Sequence, residues 1–158
     1  MTQDIDAIVN AMSDAFGKDI QEGVKTMIGF GAERINVVHE PPQPTDGPIK
    51  TEFLAAALPV EWRLFQTGLD DFSLSPEVRK LDESKINVRL GVGGKLDGEA
   101  VNFTGNIKLG LQDGRIVELV GGWLDDGVEV VKRVAASPKA APLFAELMQF
   151  AGDMENHR

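Results

Sequence analysis

Between Ile86 and Trp123 apolar and polar residues alternate with period two through three successive stretches. In Ile86–Val92 the apolar positions are even: Ile86, Val88, Leu90 and Val92. In Glu99–Leu111 they are odd: Val101, Phe103, Ile107, Leu109 and Leu111, with Asn102, Thr104, Asn106 and Lys108 between them. Arg115–Trp123 places Val117, Leu119 and Trp123 on one side. Alternation of this length predicts antiparallel strands with one packed face and one wetter face. Asp97-Gly98 and Asp113-Gly114 fall where it breaks. Asp-Gly supplies the positive φ that two-residue hairpin turns need, so the three stretches read as a meander.

Before the meander the period is helical. Ile5, Ile8, Val9, Met12 and Phe16 form one stripe, with Thr2 as its candidate cap and Gly17 at its end. Asp19 opens a second helix, Glu22 stands at capping-box spacing, and Ile20, Val24, Met27 and Ile28 face inward. Gly29 and Gly31 precede a short strand, Arg34–Glu40. The run from Pro41 to Pro48 reads as a stiff connection that cannot sit inside a sheet. Pro48 is expected to open a third helix with Ile49, Phe53 and Ala56 on one face, stopped by Pro59. Trp62, Leu64 and Phe65 receive no assignment. Leu69–Leu81 reads as a long strand interrupted at Pro76 and turning through Asp82–Lys85. After an Asp125-Asp126-Gly127 turn the chain reads as helical, although Val128, Val131 and Val134 suit strand or helix. Leu143, Phe144, Leu147, Met148 and Phe150 form a last helix, opened by Pro138 or Pro142 and closed near Gly152.

Composition narrows the function classes. The 158 residues suffice for one domain with a real core. A net charge of −9 without any basic stripe argues against nucleic acid and anionic membrane surfaces as partners. With no cysteine there is no disulfide, thiolate metal site or cysteine nucleophile. Asp4 and Asp6 stand where a secretory leader would carry positive charge, and no apolar run nears the ~20 residues that span a bilayer. A cytoplasmic acidic globular protein is expected.

Val37-Val38-His39-Glu40-Pro41, then Asp46-Gly47-Pro48 leading to Phe53-Leu54, Glu77-Val78-Arg79, and Asp113-Gly114-Arg115-Ile116-Val117-Glu118-Leu119 follow one another in a familiar order. In that order the chain resembles the NTF2-like superfamily, which includes the SnoaL-like proteins and the ketosteroid isomerases. The resemblance covers about residues 4–124. It implies an α+β cone: N-terminal helices packed on a strongly bent, mostly antiparallel sheet that encloses a pocket. Residues 1–124 form that cone, and 125–158 add extra C-terminal helices to the same domain, as a lid over the pocket or a cover on the sheet. On this analogy Trp62, Leu90, Val92, Phe103, Ile107, Leu109, Leu119 and Trp123 line the pocket, which suits an apolar small molecule. A homodimer through the outer sheet face is also implied, with no cofactor.

Two residues are candidates for catalysis. The isomerases place a carboxylate immediately before a proline at this strand end, where it shuttles a proton next to a carbonyl, and Glu40-Pro41 matches that position. Apolar walls would favour its neutral form. Alternation points elsewhere: Ile35, Val37 and His39 share one face, Val38 and Glu40 the other, and a one-residue slip exchanges them. His39 is one of two histidines, the other being His157 in an expected frayed tail, and imidazole suits proton transfer near neutrality. The isomerases hold their enolate with a tyrosine and a protonated aspartic acid. This chain has no tyrosine; Ala11 or Met12 stands near that place, and Ile107 or Asn106 at the aspartic acid position. His39, Glu40 and Asp46 make a poor metal site, so none is expected. Gly91-Val92-Gly93-Gly94 opens no helix and reads as a bulge or bend, not a phosphate loop. Arg63 and Arg89 read as solvated. The expected function is general acid/base chemistry on an apolar carbonyl or polyketide-like compound, as a lyase, isomerase or cyclase. The alternative is a ligand-binding or dimeric assembly module without chemistry.

Overall fold

Asp4 opens the first helix by accepting the Asp6 N–H at 3.1 Å. The expected cap, Thr2, lies outside the described residues; the computed structural model describes residues 4–124 and 127–158. Helix α1, Ile5–Lys18, buries Ile5, Ile8, Met12, Ala15 and Phe16. Asp19 then accepts the Glu22 N–H at 2.8 Å and starts α2, Ile20–Gly29, which buries Ile20, Val24, Met27 and Ile28. Gly23 is the contact point between them. A Cβ there would stand 2.1 Å from Cδ1 of the Phe16 ring, so the ring lies on bare backbone.

Six strands follow: β1 Gly31–Glu40, β2 Gly47–Lys50, β3 Asp70–Asp82, β4 Lys85–Leu96, β5 Glu99–Gln112 and β6 Arg115–Leu124. They form one sheet in the order β2-β1-β6-β5-β4-β3, curled but not closed. Neighbours are antiparallel except β1 and β6, which run parallel. The two Asp-Gly turns form as the sequence predicts. Their φ values are 53° and 81° at Asp97-Gly98 and 53° and 72° at Asp113-Gly114, the mirror-image turn that matches strand twist.

Three expectations are corrected. Gly47-Pro48 belongs to a strand, β2, which the sheet tolerates because β2 is an edge; Pro76 sits in β3, the other edge. The third helix, α3, begins at Thr51 instead of Pro48, leaves Ala56 exposed, and runs through Pro59 to Gly68. An internal proline costs a helix about 3 kcal/mol. Continuing past it buries Val60, Trp62, Leu64 and Phe65 at about 1.5–3 kcal/mol each, which outweighs that loss. In β6 the register shifts against β5 between Gly110 and Leu111, so Ile116, and not Val117, takes the buried place. A second shift, Asp70 opposite Lys95 and then Ser73 opposite Gly93, puts a bulge beside the glycine run, with Asp71 at φ 53°.

After the sheet, α4 spans Gly127–Ala135 and settles Val128, Val131 and Val134 as helical. Asp125 and Asp126 lie outside the described residues. Helix α5, Ala141–Asp153, carries Pro142 in its first turn and leads into a short 3-10 turn, Met154–His157. Both helices pack on α3. Leu143, Leu147 and Phe150 meet the core, whereas Phe144 and Met148 are exposed and not part of a buried stripe. His157 is not frayed: its ring centroid lies 4.8 Å from that of Phe53. Among the described residues no helix is long and apolar enough to cross a membrane.

Gly23→Ala tests the α1–α2 contact. Alanine adds about 1 kcal/mol of helix propensity, but overpacking a filled core costs about 1–3 kcal/mol. We expect a net loss read as a lower urea midpoint; an equal or higher midpoint would place the Phe16 ring elsewhere.

Candidate functional site

Strand register arranges the inward residues in rows across the sheet. Val37, Leu119, Leu109 and Ile86 make one row. The next is His39, Gly121, Ile107 and Val88; the third is Trp123, Gly105 and Leu90. The first row is filled with side chains. In the second, Gly121 contributes none beside His39. In the third, Gly105 lets the Trp123 ring lie against the strand, since a Cβ there would be 3.0 Å from Cζ3. The sheet is therefore hollow at Gly121, while at Gly105 the Trp123 ring takes the place of the missing side chain.

Over that hollow is a cavity of about 420 Å³. Helix α3 supplies Phe53, Leu54, Leu58, Glu61 and Trp62 to its wall; α4 supplies Val128 and Val131, and α5 supplies Leu147 and Phe150. Of the eight expected lining residues, Trp62, Ile107, Leu119 and Trp123 border it. Leu90, Val92, Phe103 and Leu109 do not: all four are buried in solid core. Phe103 stands one layer back, its ring centroid 5.4 Å from that of Trp123 and 5.6 Å from that of Phe65. Alternation marks the packed side of each strand but does not say where that side is empty.

His39 is inward and half-buried, on the same face as Ile35 and Val37. Its Nδ1 lies 2.5 Å from Asp46 Oδ1. The other Asp46 oxygen accepts the backbone N–H of His39 and of Gln43, each at 3.1 Å. The His39 hydrogen bond, assisted by the two N–H groups against partial burial, holds the Asp46 carboxyl below its ordinary 3.8. A carboxylate only accepts, so the neutral ring carries its proton on Nδ1 and leaves Nε2 as the base. Glu40 follows Val38 to the other side. It is exposed at the cavity's rim, so the apolar walls expected around it are not there. The strand-slip alternative is thereby settled.

Sequence reasoning missed Glu61. It is half-buried, lines the cavity from α3, and burial pushes its carboxyl above the ordinary 4.5, with the nearby His39 pulling the other way. The signal was present: Leu54, Leu58 and Glu61 share a helical stripe once the helix continues beyond Pro59. Asn106 stands in the row between those of Ile107 and Gly105, opposite Arg89 and Gly122, and its amide oxygen accepts from Asn87 Nδ2 at 3.2 Å across β4 and β5. Arg63 and Arg89 are exposed. Among the described residues no three His, Cys, Asp or Glu side chains converge on a metal position.

No protein-family profile matches the chain, and no curated protein does. Solved structures do. An NTF2-like protein from Burkholderia thailandensis superposes with a TM-score of 0.55 at 13% identity, over 83% of this chain and 98% of its own. The fold is NTF2-like. A SnoaL-like polyketide cyclase from Agrobacterium tumefaciens gives 0.52 at 16% identity, over 82% and 98%. AclR from Streptomyces galilaeus, described as a candidate hydroxylase, gives 0.50 at 17% identity over 97% and 96%, and so extends the NTF2-like likeness to the last helices. At these identities the likeness establishes the fold alone, and the differing activities named among the neighbours show that chemistry must be argued from the cavity.

The raised Glu61 carboxyl makes a pH-dependent contribution to stability. The folded chain holds this proton more tightly than the unfolded chain, so the contribution is complete below 4.5 and is lost as pH rises through the folded value. Glu61→Gln removes that loss. We expect its melting temperature to match the parent near about pH 4 and to exceed it near about pH 8; a gap independent of pH would mean that the carboxyl is not buried.

Proposed function

We propose that this chain is a small-molecule pocket protein of the NTF2-like type that performs general acid/base chemistry on an apolar carbonyl compound, as an isomerase, lyase or cyclase. One observation carries the reading: the His39 ring, held 2.5 Å from Asp46, enters an apolar cavity that is also bordered by the half-buried Glu61. In this reading His39 Nε2 removes a proton from the carbon beside the carbonyl; the C–H electron pair becomes the C=C bond of an enolate and the carbonyl π pair moves onto the oxygen. Glu61, whose acid form burial favours, donates its O–H to that oxygen. Returning the proton to a different carbon completes an isomerisation. Attack of the enolate carbon on an electrophilic carbon of the same molecule closes a ring. Asp46 keeps the imidazole in the working tautomer and stabilises its cation.

Substrate class follows from size and charge. A hollow of about 420 Å³ is at the small end of ligand pockets, which run ~300–1,000 Å³, and fits a compound of two or three rings. A buried acid disfavours an anion. The polyketide cyclase named among the structural neighbours supports a polyketide-like substrate. A second reading, binding without turnover, draws on the absence of tyrosine, with which isomerases of this fold hold their enolate.

The test is hydrogen–deuterium exchange at the carbon beside the carbonyl of 2-tetralone, a two-ring ketone, followed by NMR in D2O. We expect the parent chain to accelerate exchange and His39→Gln to lose about 10²–10⁴-fold of the acceleration, the usual size of general-base catalysis. Gly121→Leu should abolish it by filling the hollow, because a Cβ at Gly121 meets only Leu119 Cδ2, at 3.5 Å. Tetralone that displaces an apolar dye from the parent without exchanging would favour the binding reading. Equal exchange by His39→Gln and parent would remove His39 as the base.

A further inference from the structure

Asp46 stands on the connection between β1 and β2, and the anchors of its carboxylate, Gln43 and His39, belong to that connection and the strand end before it. Arg158 holds the same connection from a distant part of the chain. Arg158 Nη2 donates to the Thr45 carbonyl at 3.3 Å, and Nη1 to the Asp46 carbonyl at 3.5 Å. Gly47 makes the approach possible. Its φ of 141° is one that glycine adopts freely, and a Cβ there would stand 3.1 Å from Nη1. Packing brings Arg158 to this spot: His157 stacks on Phe53, and Phe150 meets the same Phe53 ring edge-on at 5.7 Å. Phe53 and Phe150 are cavity wall, so one segment both encloses the ligand space and holds the connection that carries Asp46.

We propose that Arg158 is a positioning residue: by bridging two successive carbonyls it fixes the loop that presents Asp46 to His39, and so fixes the tautomer of the imidazole. The proposal rests on the His39–Asp46 pair being the working pair of the site. A guanidinium suits this role because its planar fork reaches two acceptors at once, which an ammonium does not do in the same fixed geometry. The effect is indirect, since Arg158 has no part in the proton transfer itself.

Tautomer state is readable without a substrate. Long-range ¹H–¹⁵N spectra of the ¹⁵N-labelled chain separate the Nδ1–H and Nε2–H forms, and two histidines give two sets of signals, assigned with His157→Gln. At about pH 8.5, above the usual histidine range near 6.5, the parent His39 should show the Nδ1–H form. Asp46→Ala should show a mixture of forms and serves as the unlocked reference. We expect Arg158→Ala and Arg158→Gln, whose side chains end short of both carbonyls, to move the His39 signals most of the way to that reference, and Arg158→Lys, whose single ammonium reaches one carbonyl, to move them less. All three should retain the parent's circular dichroism. A parent-like His39 spectrum in Arg158→Ala, with Asp46→Ala altered, would overturn the positioning role and leave the pair intact; the same spectrum in Arg158→Lys would reduce the role to charge. A parent ring already in mixed form would overturn the pair and the positioning role together.

Discussion

The parallel pairing of β1 with β6 is the constraint on which the site depends. It sets His39 opposite Gly121, so the imidazole enters the sheet's packed side at a place where the neighbouring strand has no side chain. Side-chain direction in a strand has period two, so a slip by one residue would carry His39 out and Glu40 in. Two filled neighbours oppose that slip. Val37 is matched with Leu119, and Ile35 is fully buried; moving them to the exposed face would forfeit about 1.5–3 kcal/mol for each. Apolar packing two and four residues along the strand thus decides which ionisable group faces the cavity.

The site then contains two carboxyls in opposite circumstances. Asp46 accepts three hydrogen bonds, which favour its charge; Glu61 is partly withdrawn from water in the cavity wall, which disfavours it. Environments that push two acids apart set them up for different roles, and in the chemistry proposed above these are charged partner and proton donor. The imidazole lies between these roles, with Nδ1 committed to Asp46. Without the carboxylate, either ring nitrogen would carry the proton and the ring would lose its single working orientation. The electrostatics of the loop and the hydrophobicity of the helix therefore act on the same imidazole from two sides.

Most of the fold is written in local pattern. Helices α1 and α2, the three meander strands and both Asp-Gly turns follow from spacing and turn chemistry alone, because each is determined by residues within a few positions. What was illegible is non-local. Pro59 reads as a stop until the burial of Trp62 and Phe65 is counted, and with the helix ended there Glu61 had no stripe to belong to. Pro48 reads as a helix opener until β2 is seen to be an edge. Leu90, Val92, Phe103 and Leu109 are inward as alternation says, yet they meet packed neighbours rather than space. The analogy that favoured Glu40 relied on a proline-flanked acid at a strand end. The alternation that favoured His39 relied on which side chains must be dry, and the dry side chains decided the register.

Glu61 also explains why the cavity and the stability of the fold are linked. An acid on the inner stripe of α3 is unfavourable for folding, since the charged form loses its hydration and gains no strong partner there. The neighbouring core carries that cost: Phe65, Leu64 and Trp62 on the same helix are almost wholly buried, and the rings of Trp62, Phe65, Phe103 and Trp123 interlock at centroid distances from 5.3 to 6.0 Å. Such edge-to-face aromatic packing contributes about 0.5–1.5 kcal/mol per pair beyond the area it buries. The unfavourable group and the rigid cluster are therefore adjacent, and the cluster leaves the space above Gly121 open because its Trp123 ring is held against Gly105. A flexible aliphatic wall at the same positions would close over the hollow and leave Glu61 packed against hydrocarbon.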